Sequence, residues 1–279
     1  MAQISNIHIT PAGHHAINSN IIAALKTKLE HGVPSRRPIS PKALAGLHGH
    51  NPRHNGLLAA LPAADYERLL PHLEFVEMPF GTTICEAGEQ MRYVYFLTSS
   101  IVSLLYETAD GASSETAVIG YEGVVGVDVI MGGGASLHRA FIKNAGYGYR
   151  IRASVLTQEF ARGGALQQSL LRFTQTLFTQ MAHTVAYNRH HTIVQQLCRW
   201  LLLSLDRLPS NQISMTQDLI ANMLGVRRES VTEAARKLQD EGLIHYSRGQ
   251  ITIVDRAGLE EQIGAPYPSR EKNMKTCCL

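Results

Sequence analysis

Apolar residues change their spacing several times along the chain, and each change predicts a different kind of element. Leu57, Leu58, Leu61, Leu69 and Leu70 predict a short helical segment between Leu57 and Leu73. Short β-branched or aromatic runs follow at Phe75–Met78, Thr82–Cys85, Tyr93–Leu97, Ile101–Tyr106, Thr116–Ile119, Ala140–Lys143 and Tyr147–Ile151. Gly81, Gly88, Gly111, Gly120, Gly123, Gly126 and Gly146 punctuate them, as turns that need a positive φ require. Strands this short and evenly spaced predict a sandwich or jelly roll rather than a parallel sheet with crossover helices.

From about Ala165 the period becomes helical. Leu166, Leu170, Phe173, Leu177, Met181 and Thr184 recur at steps of three and four, which gives one narrow seam along a long helix and predicts a partner for it. A second helix, Ile193 to Asp206, carries Ile193, Val194, Leu197, Trp200, Leu201 and Leu203, a surface broad enough to form a core between domains. Pro209, Ser210 and Asn211 then read as a linker.

The stretch from Met215 to Leu238 carries the chemistry. Thr216 is a good helix N-cap, Leu219, Ile220, Met223 and Leu224 form an inward face, and Gly225 stands where a helix must stop in a left-handed conformation. In the next helix Val231, Ala234, Ala235 and Leu238 point inward, so Arg228, Glu229, Thr232, Glu233 and Arg236 point outward. Small Ala221 and Ala235 allow the two helices to cross closely, the geometry of a helix-turn-helix. After Gly242, the runs Leu243–Ser247 and Gln250–Val254, separated by Arg248 and Gly249, predict a hairpin wing with a cation at its tip.

Outward polar groups at the start of the second helix are what reading a major groove requires. An arginine pairs bidentately with guanine O6 and N7, and a glutamate accepts from cytosine N4. Thr216 and Gln217 lie at the other helix N-terminus, where backbone N–H groups attract a phosphate. The candidate DNA contacts are Thr216, Gln217, Arg227, Arg228, Glu229, Ser230, Thr232, Glu233, Arg236 and Arg248.

Charge distribution limits how far bulk composition supports this reading. The 279-residue chain has a formal net charge of +3. Residues 1–55 hold Lys26, Lys28, Arg36, Arg37, Lys42 and Arg53 against Glu30 alone, a net +5, so the rest of the chain is −2 and local arrangement must carry any claim of DNA binding. Those first 55 residues, with Pro34, Pro38, Pro41 and Pro52, are predicted to be mostly disordered apart from a short helix capped by Asn20. Seven of the thirteen histidines lie there (His8, His14, His15, His31, His48, His50 and His54), but their spacings match no standard metal site, so a solvent-exposed extension is expected. Four cysteines without metal-type spacing, no leader pattern and no apolar run of bilayer length point to a reducing cytoplasm, without a membrane role.

The run Leu224-Gly225-Val226-Arg227-Arg228-Glu229-Ser230-Val231 resembles the cyclic-AMP receptor and fumarate-nitrate regulator (Crp/Fnr) family of bacterial transcription factors, with likeness extending over about Gly56 to Leu259. The resemblance implies an α+β fold. Its parts are an N-terminal antiparallel β-roll (a cyclic-nucleotide-binding-like jelly roll), a long dimerisation helix from Leu166 to about Asn188, and a C-terminal winged helix-turn-helix. It also implies that Arg228 and Glu229 read bases, while a further base-reading arginine of the cyclic-AMP receptor is replaced by Glu233, so the target sequence is expected to differ. In this layout residues 1–55 are an extension, 56–164 the sensor, 165–208 the dimerisation and linker helices, 209–262 the DNA-binding domain and 263–279 a flexible tail.

A homodimer regulating transcription from a palindromic double-stranded operator follows, because two recognition helices one turn of DNA apart make enough contacts where one does not. RNA polymerase is a candidate further partner. The effector is unknown. For a cyclic nucleotide the matching cassette is degenerate: Gly120, Glu122, Gly123 and Arg139 are the candidate ligands, but no hydroxyl residue follows Arg139 and the glutamate sits in another glycine register. An iron–sulfur cluster needs four thiolates, and only Cys85 lies in the roll, which argues against it.

Other candidates are weaker. His183, His190 and His191 near the end of the long helix read as surface histidines, and Gly132-Gly133-Gly134 lacks the lysine of a phosphate loop. Cys277-Cys278 has only Lys275 as a charged neighbour to support redox chemistry. No catalytic constellation stands out, so no enzyme is expected. The alternative of another class is a small-molecule-binding protein whose C-terminal module recruits a protein partner; it predicts no steep salt dependence with DNA.

Overall fold

The computed structural model describes residues 51–109, 111–264 and 267. The helix expected after Asn20, most of the histidine-rich extension and the terminal cysteines lie outside them.

The fold class is α+β, as expected from the sequence. Helices α1 (Gly56–Ala59) and α2 (Ala63–Leu69) come first, followed by a single 3-10 turn, Leu70–His72. The one helical segment expected here is thus broken: Pro62 caps α2 at its start and Pro71 opens the 3-10 turn, because proline has no N–H to continue a helix. Eight strands then form the roll: β1 (Glu74–Met78), β2 (Thr83–Cys85), β3 (Tyr93–Leu97), β4 (Ile101–Glu107), β5 (Ser113–Ile119), β6 (Val124–Val125), β7 (Arg139–Asn144) and β8 (Gly146–Arg152). They pair antiparallel in two sheets of four, in the orders β1-β8-β3-β6 and β2-β7-β4-β5. Gly146 sits where β8 meets the β3–β4 turn; a Cβ there would lie 2.5 Å from the Ser100 nitrogen, so only glycine fits.

The second sheet is buried on both faces, which explains why β4 is buried without a break from Ile101 to Leu105. Val102, Leu104, Ala117, Ile119, Ala140 and Ile142 face the interior of the roll. Ile101, Leu105, Val118 and Phe141 face the other way, into a second core shared with the linker helix and the C-terminal domain.

Helix α3 (Ala153–Ala161), which the sequence pattern did not predict, leads into α4 (Ala165–His190). Here the structure corrects an expectation. Leu166, Leu170, Phe173 and Leu177 are buried in the core of the roll, with Met181 packed beside them. The seam's partner is therefore the chain's own sheet rather than a second helix. The solvent-facing apolar stripe is Leu171, Phe178 and Val185, 50%, 52% and 70% exposed, one residue further along and so about 100° round the helix. The seam was misassigned because helical period reveals a buried face without revealing what buries it.

Helix α5 (Ile193–Leu205) opens with a capping box: Thr192 accepts from the Gln195 N–H while the Gln195 side chain accepts from the Thr192 N–H. Beyond it lie β9 (Gln212–Ser214), α6 (Gln217–Leu224), α7 (Arg228–Asp240), β10 (Ile244–Ser247), β11 (Gln250–Ile253) and α8 (Arg256–Ile263). The wing is a three-stranded sheet in the order β10-β11-β9, so the chain after the Pro209 linker supplies a strand that the sequence did not announce. Leu259 and Ile263 of α8 are buried in the same core as Leu197, Trp200 and Leu201 of α5.

Candidate nucleic-acid interface

Two helices and a glycine set the geometry. Thr216 caps α6 by accepting from the Leu219 N–H at 3.3 Å, and Ile220, Ala221 and Met223 anchor the helix. Gly225 ends it at φ +67°, ψ +34°, a left-handed conformation that a side chain would strain. The chain then re-enters helix with Arg227 as the N-cap of α7. Val231, Ala234, Ala235 and Leu238 are buried, which fixes the rotation of α7 about its axis.

The opposite face of α7 is exposed at Arg228, Glu229, Thr232, Glu233 and Arg236, with Arg227 also exposed and Ser230 half-buried. Arg228 Nε lies 3.4 Å from Asp218 Oδ1, with both side chains more than half exposed. Arg236 pairs at 3.7 Å with Asp240 one turn on. Such exposed pairs are worth about 0–1 kcal/mol, so neither arginine is committed to its partner. Thr232 is held more firmly: its hydroxyl donates to Gln217 Oε1 at 2.8 Å and bridges the two helices. The structure thus brings Thr216, Gln217 and the outward residues of α7 to one surface.

Arg248 stands at the wing tip. Arg248 (φ +50°) and Gly249 (φ +78°) form a two-residue hairpin turn between Ser247 and Gln250, with the doubly positive φ of a type I′ turn. The Met215 N–H donates to Gly249 O at 2.7 Å, and Tyr246 Oη donates to Met215 O at 2.9 Å. These bonds tie the wing to the segment that leads into α6. Burial pushes the Tyr246 phenol above its ordinary range, which keeps it a donor.

The candidate effector residues are arranged differently. Glu122 is buried and accepts from Arg207 Nε at 2.7 Å and from the Gly120 N–H at 3.2 Å. Added Cβ atoms at Gly120 and Gly123 would lie 2.9 Å from the Arg207 side chain and 2.3 Å from the Phe173 ring. These glycines let the roll pack closely on α4 and on the linker after α5. Arg139 is bound elsewhere, to Glu107 at 3.0 Å, Glu86 at 3.4 Å and Thr83. Arg139 is paired with Leu105 of β4, whereas Ile119, just before the Gly120 turn, is paired with Val102, so Glu122 and Arg139 are not brought together.

Sequence reasoning missed a charged cluster between these regions. Lys143 Nζ, buried, lies 3.0 Å from Glu115 Oε2 and 4.4 Å from the Trp200 ring centroid, and Ser103 Oγ donates to the same carboxylate. Desolvation pulls the Lys143 amine below its ordinary range, opposed by Glu115. A lysine interrupting the apolar run of β7 was the available signal. Of the helix histidines, His183 and His190 are exposed, and the His191 ring packs edge-on against Tyr187 at 4.3 Å. Among the described residues no helix is long and apolar enough to cross a membrane.

These features define a winged helix-turn-helix domain joined by two helices to an antiparallel β-roll. Residues 195–262 match the family model of the Crp-like helix-turn-helix domain. No curated protein matches the chain. Among solved structures, the chain is similar to a Eubacterium rectale protein described as a transcriptional regulator of the Crp/Fnr family, 19% identical, covering 76% of this chain and 100% of the other, with a TM-score of 0.62. FixK2 of Bradyrhizobium japonicum is 18% identical, with 70% of this chain and 99% of the other covered and a TM-score of 0.59. The regulator CLP of Xanthomonas campestris, described as responsive to c-di-GMP, is 18% identical, with 69% and 99% covered and a TM-score of 0.54. Residues 195–262 are thus a Crp-like helix-turn-helix domain, and the chain shares the fold of the Crp/Fnr-type regulators it is similar to.

Proposed function

We propose that the protein regulates transcription as a homodimer that reads a palindromic operator through α7. The observation that carries this reading is the first two turns of α7, where Arg228, Glu229 and Thr232 are exposed while Val231 and Ala235 lock the helix from behind. Arg228 and Glu229 read base edges; Arg227, Ser230, Glu233 and Arg236 flank them. Thr216, Gln217 and Arg248 position phosphates, and each phosphate contact adds salt dependence without sequence preference.

Dimerisation uses Leu171, Phe178 and Val185. Their seven-residue spacing on a 26-residue helix is that of a coiled-coil seam, and contiguous exposed apolar stripes mark association surfaces. Residues 56–164 act as the sensor and 209–262 as the reader, with an effector shifting how the two readers are presented. RNA polymerase is a further partner of the DNA-bound dimer in the cytoplasm, and no catalytic step is assigned. Selection of bound duplexes from a random pool tests the reading: enrichment of one inverted repeat supports it, and no enrichment at moderate salt, with candidate effectors present, refutes it.

A further inference from the structure

Where β5, α4, α5 and α6 meet, a crevice opens beside the Glu115–Lys143 cluster. Most charges buried nearby are matched: Lys143 with Glu115 at 3.0 Å, Arg207 with Glu122 at 2.7 Å, and Arg256 with Asp206 at 2.7 Å. Arg199 is different. It lines the crevice half-buried and, among the described residues, has no ion pair. Its guanidinium only donates to Thr184 Oγ1 at 3.3 Å and stacks over the Tyr187 ring at 4.8 Å. A guanidinium has five N–H donors, so most of its capacity is unspent. Desolvation pulls it below its ordinary range, opposed in part by Glu115, which lines the same crevice but is paired with Lys143.

The next residue gives a second, independent observation. Trp200, 2% exposed, lines the same crevice, and its buried Nε1–H has no hydrogen-bond partner. A buried donor left unmade is unfavourable, a cost that an acceptor entering the crevice removes. The neighbouring Gln180 Oε1 accepts from the Val118 N–H and makes no bond to the indole. The space is small, about 20 Å³, and opens to solvent, so it takes only the end of a ligand and no whole nucleotide.

We infer that this crevice binds the anionic head of a small molecule, a carboxylate or a phosphate, between the Arg199 guanidinium and the Trp200 indole N–H. A charge-assisted bond from Arg199 makes an anion a stronger occupant than water. Met223 and Leu224, the last turn of α6 before Gly225, line the same space, so occupancy bears on the helix that sets α7. The inference deepens the effector-responsive reading by giving a ligand class and a place outside the roll; it rests on that reading for the consequence at DNA, and not for the binding itself.

Trp200 is the chain's only tryptophan, so its emission reports this site alone. Full-length protein without DNA is titrated with sodium phosphate and, separately, sodium acetate at constant ionic strength. A saturable change in emission is expected with at least one anion. Its midpoint should rise at least tenfold in Arg199→Met, stay within a few-fold in Arg199→Lys, and not move in Arg162→Gln, a change on the exposed end of α3. No saturable change with either anion, or an unchanged midpoint in Arg199→Met, overturns the inference. Should Arg199→Met fail to fold, Thr184→Val removes the hydroxyl that steers the guanidinium; weaker binding then supports the site and unchanged binding overturns it. Because DNA is absent, failure here is distinct from failure to select an operator.

Discussion

Two acidic–basic pairs, Glu122–Arg207 at the roll and Asp218–Arg228 between α6 and α7, show how differently one chemistry can be used. The first is 2.7 Å long with side chains 9% and 11% exposed; the second is 3.4 Å long with side chains 56% and 61% exposed. A buried pair cannot surrender one partner to a ligand without orphaning the other charge, so it holds domains together. An exposed pair loses about 0–1 kcal/mol when it opens, so its arginine is free for an outside acceptor. Exposure, rather than residue type, separates the charges that build this molecule from those presented to a partner.

The largest expected effect breaks the buried member. Glu122→Ala leaves Arg207 unpaired in the interface and should cost about 3–5 kcal/mol in urea unfolding. Replacing both partners together, Glu122→Leu with Arg207→Met, should recover most of that loss; failure to recover any of it would mean that Glu122 does more than balance Arg207.

The two faces of α4 give the next contrast. Leu177→Ala opens a cavity in the core of the roll and should cost about 2–5 kcal/mol of stability. Phe178→Lys, one residue on, should leave a folded roll and give monomers in sedimentation. A dimer that survives Phe178→Lys would place the subunit interface elsewhere.

A smaller effect separates the two glutamates. Glu229→Ala lies on the exposed face of α7, so stability should change by no more than about 0.5 kcal/mol. Discrimination at one base pair per half-site, read by competition binding, should fall by about 1–3 kcal/mol. Equal loss for every duplex would make Glu229 a general electrostatic term instead.

What the sequence disclosed follows the same division. The reader was legible because its signals are local: the Thr216 cap, the Gly225 stop and the inward spacing of Val231, Ala234, Ala235 and Leu238 all lie within one stretch. Most roll strands were legible from β-branched runs between glycines. Ser113-Ser114-Glu115 was not, because polar residues there join β5 through pairing with β4 and through Lys143, 28 residues away. Glu122 meets Arg207 across 85 residues, a separation that leaves no periodic trace, which is why its glycine setting read as a ligand cassette. Helix α8 and strand β9 are short and depend on α5 and the wing for their burial.

The most direct measurement is the affinity of the Arg228→Ala dimer for the selected operator and for a set of single-base variants at one salt concentration. Loss of about 1–3 kcal/mol on the operator, with preference relaxed at one position in each half-site and unchanged elsewhere, is the predicted result. A uniform loss across all variants with a shallower salt slope, or no loss at all, would contradict the assignment of Arg228 as the residue that reads a base.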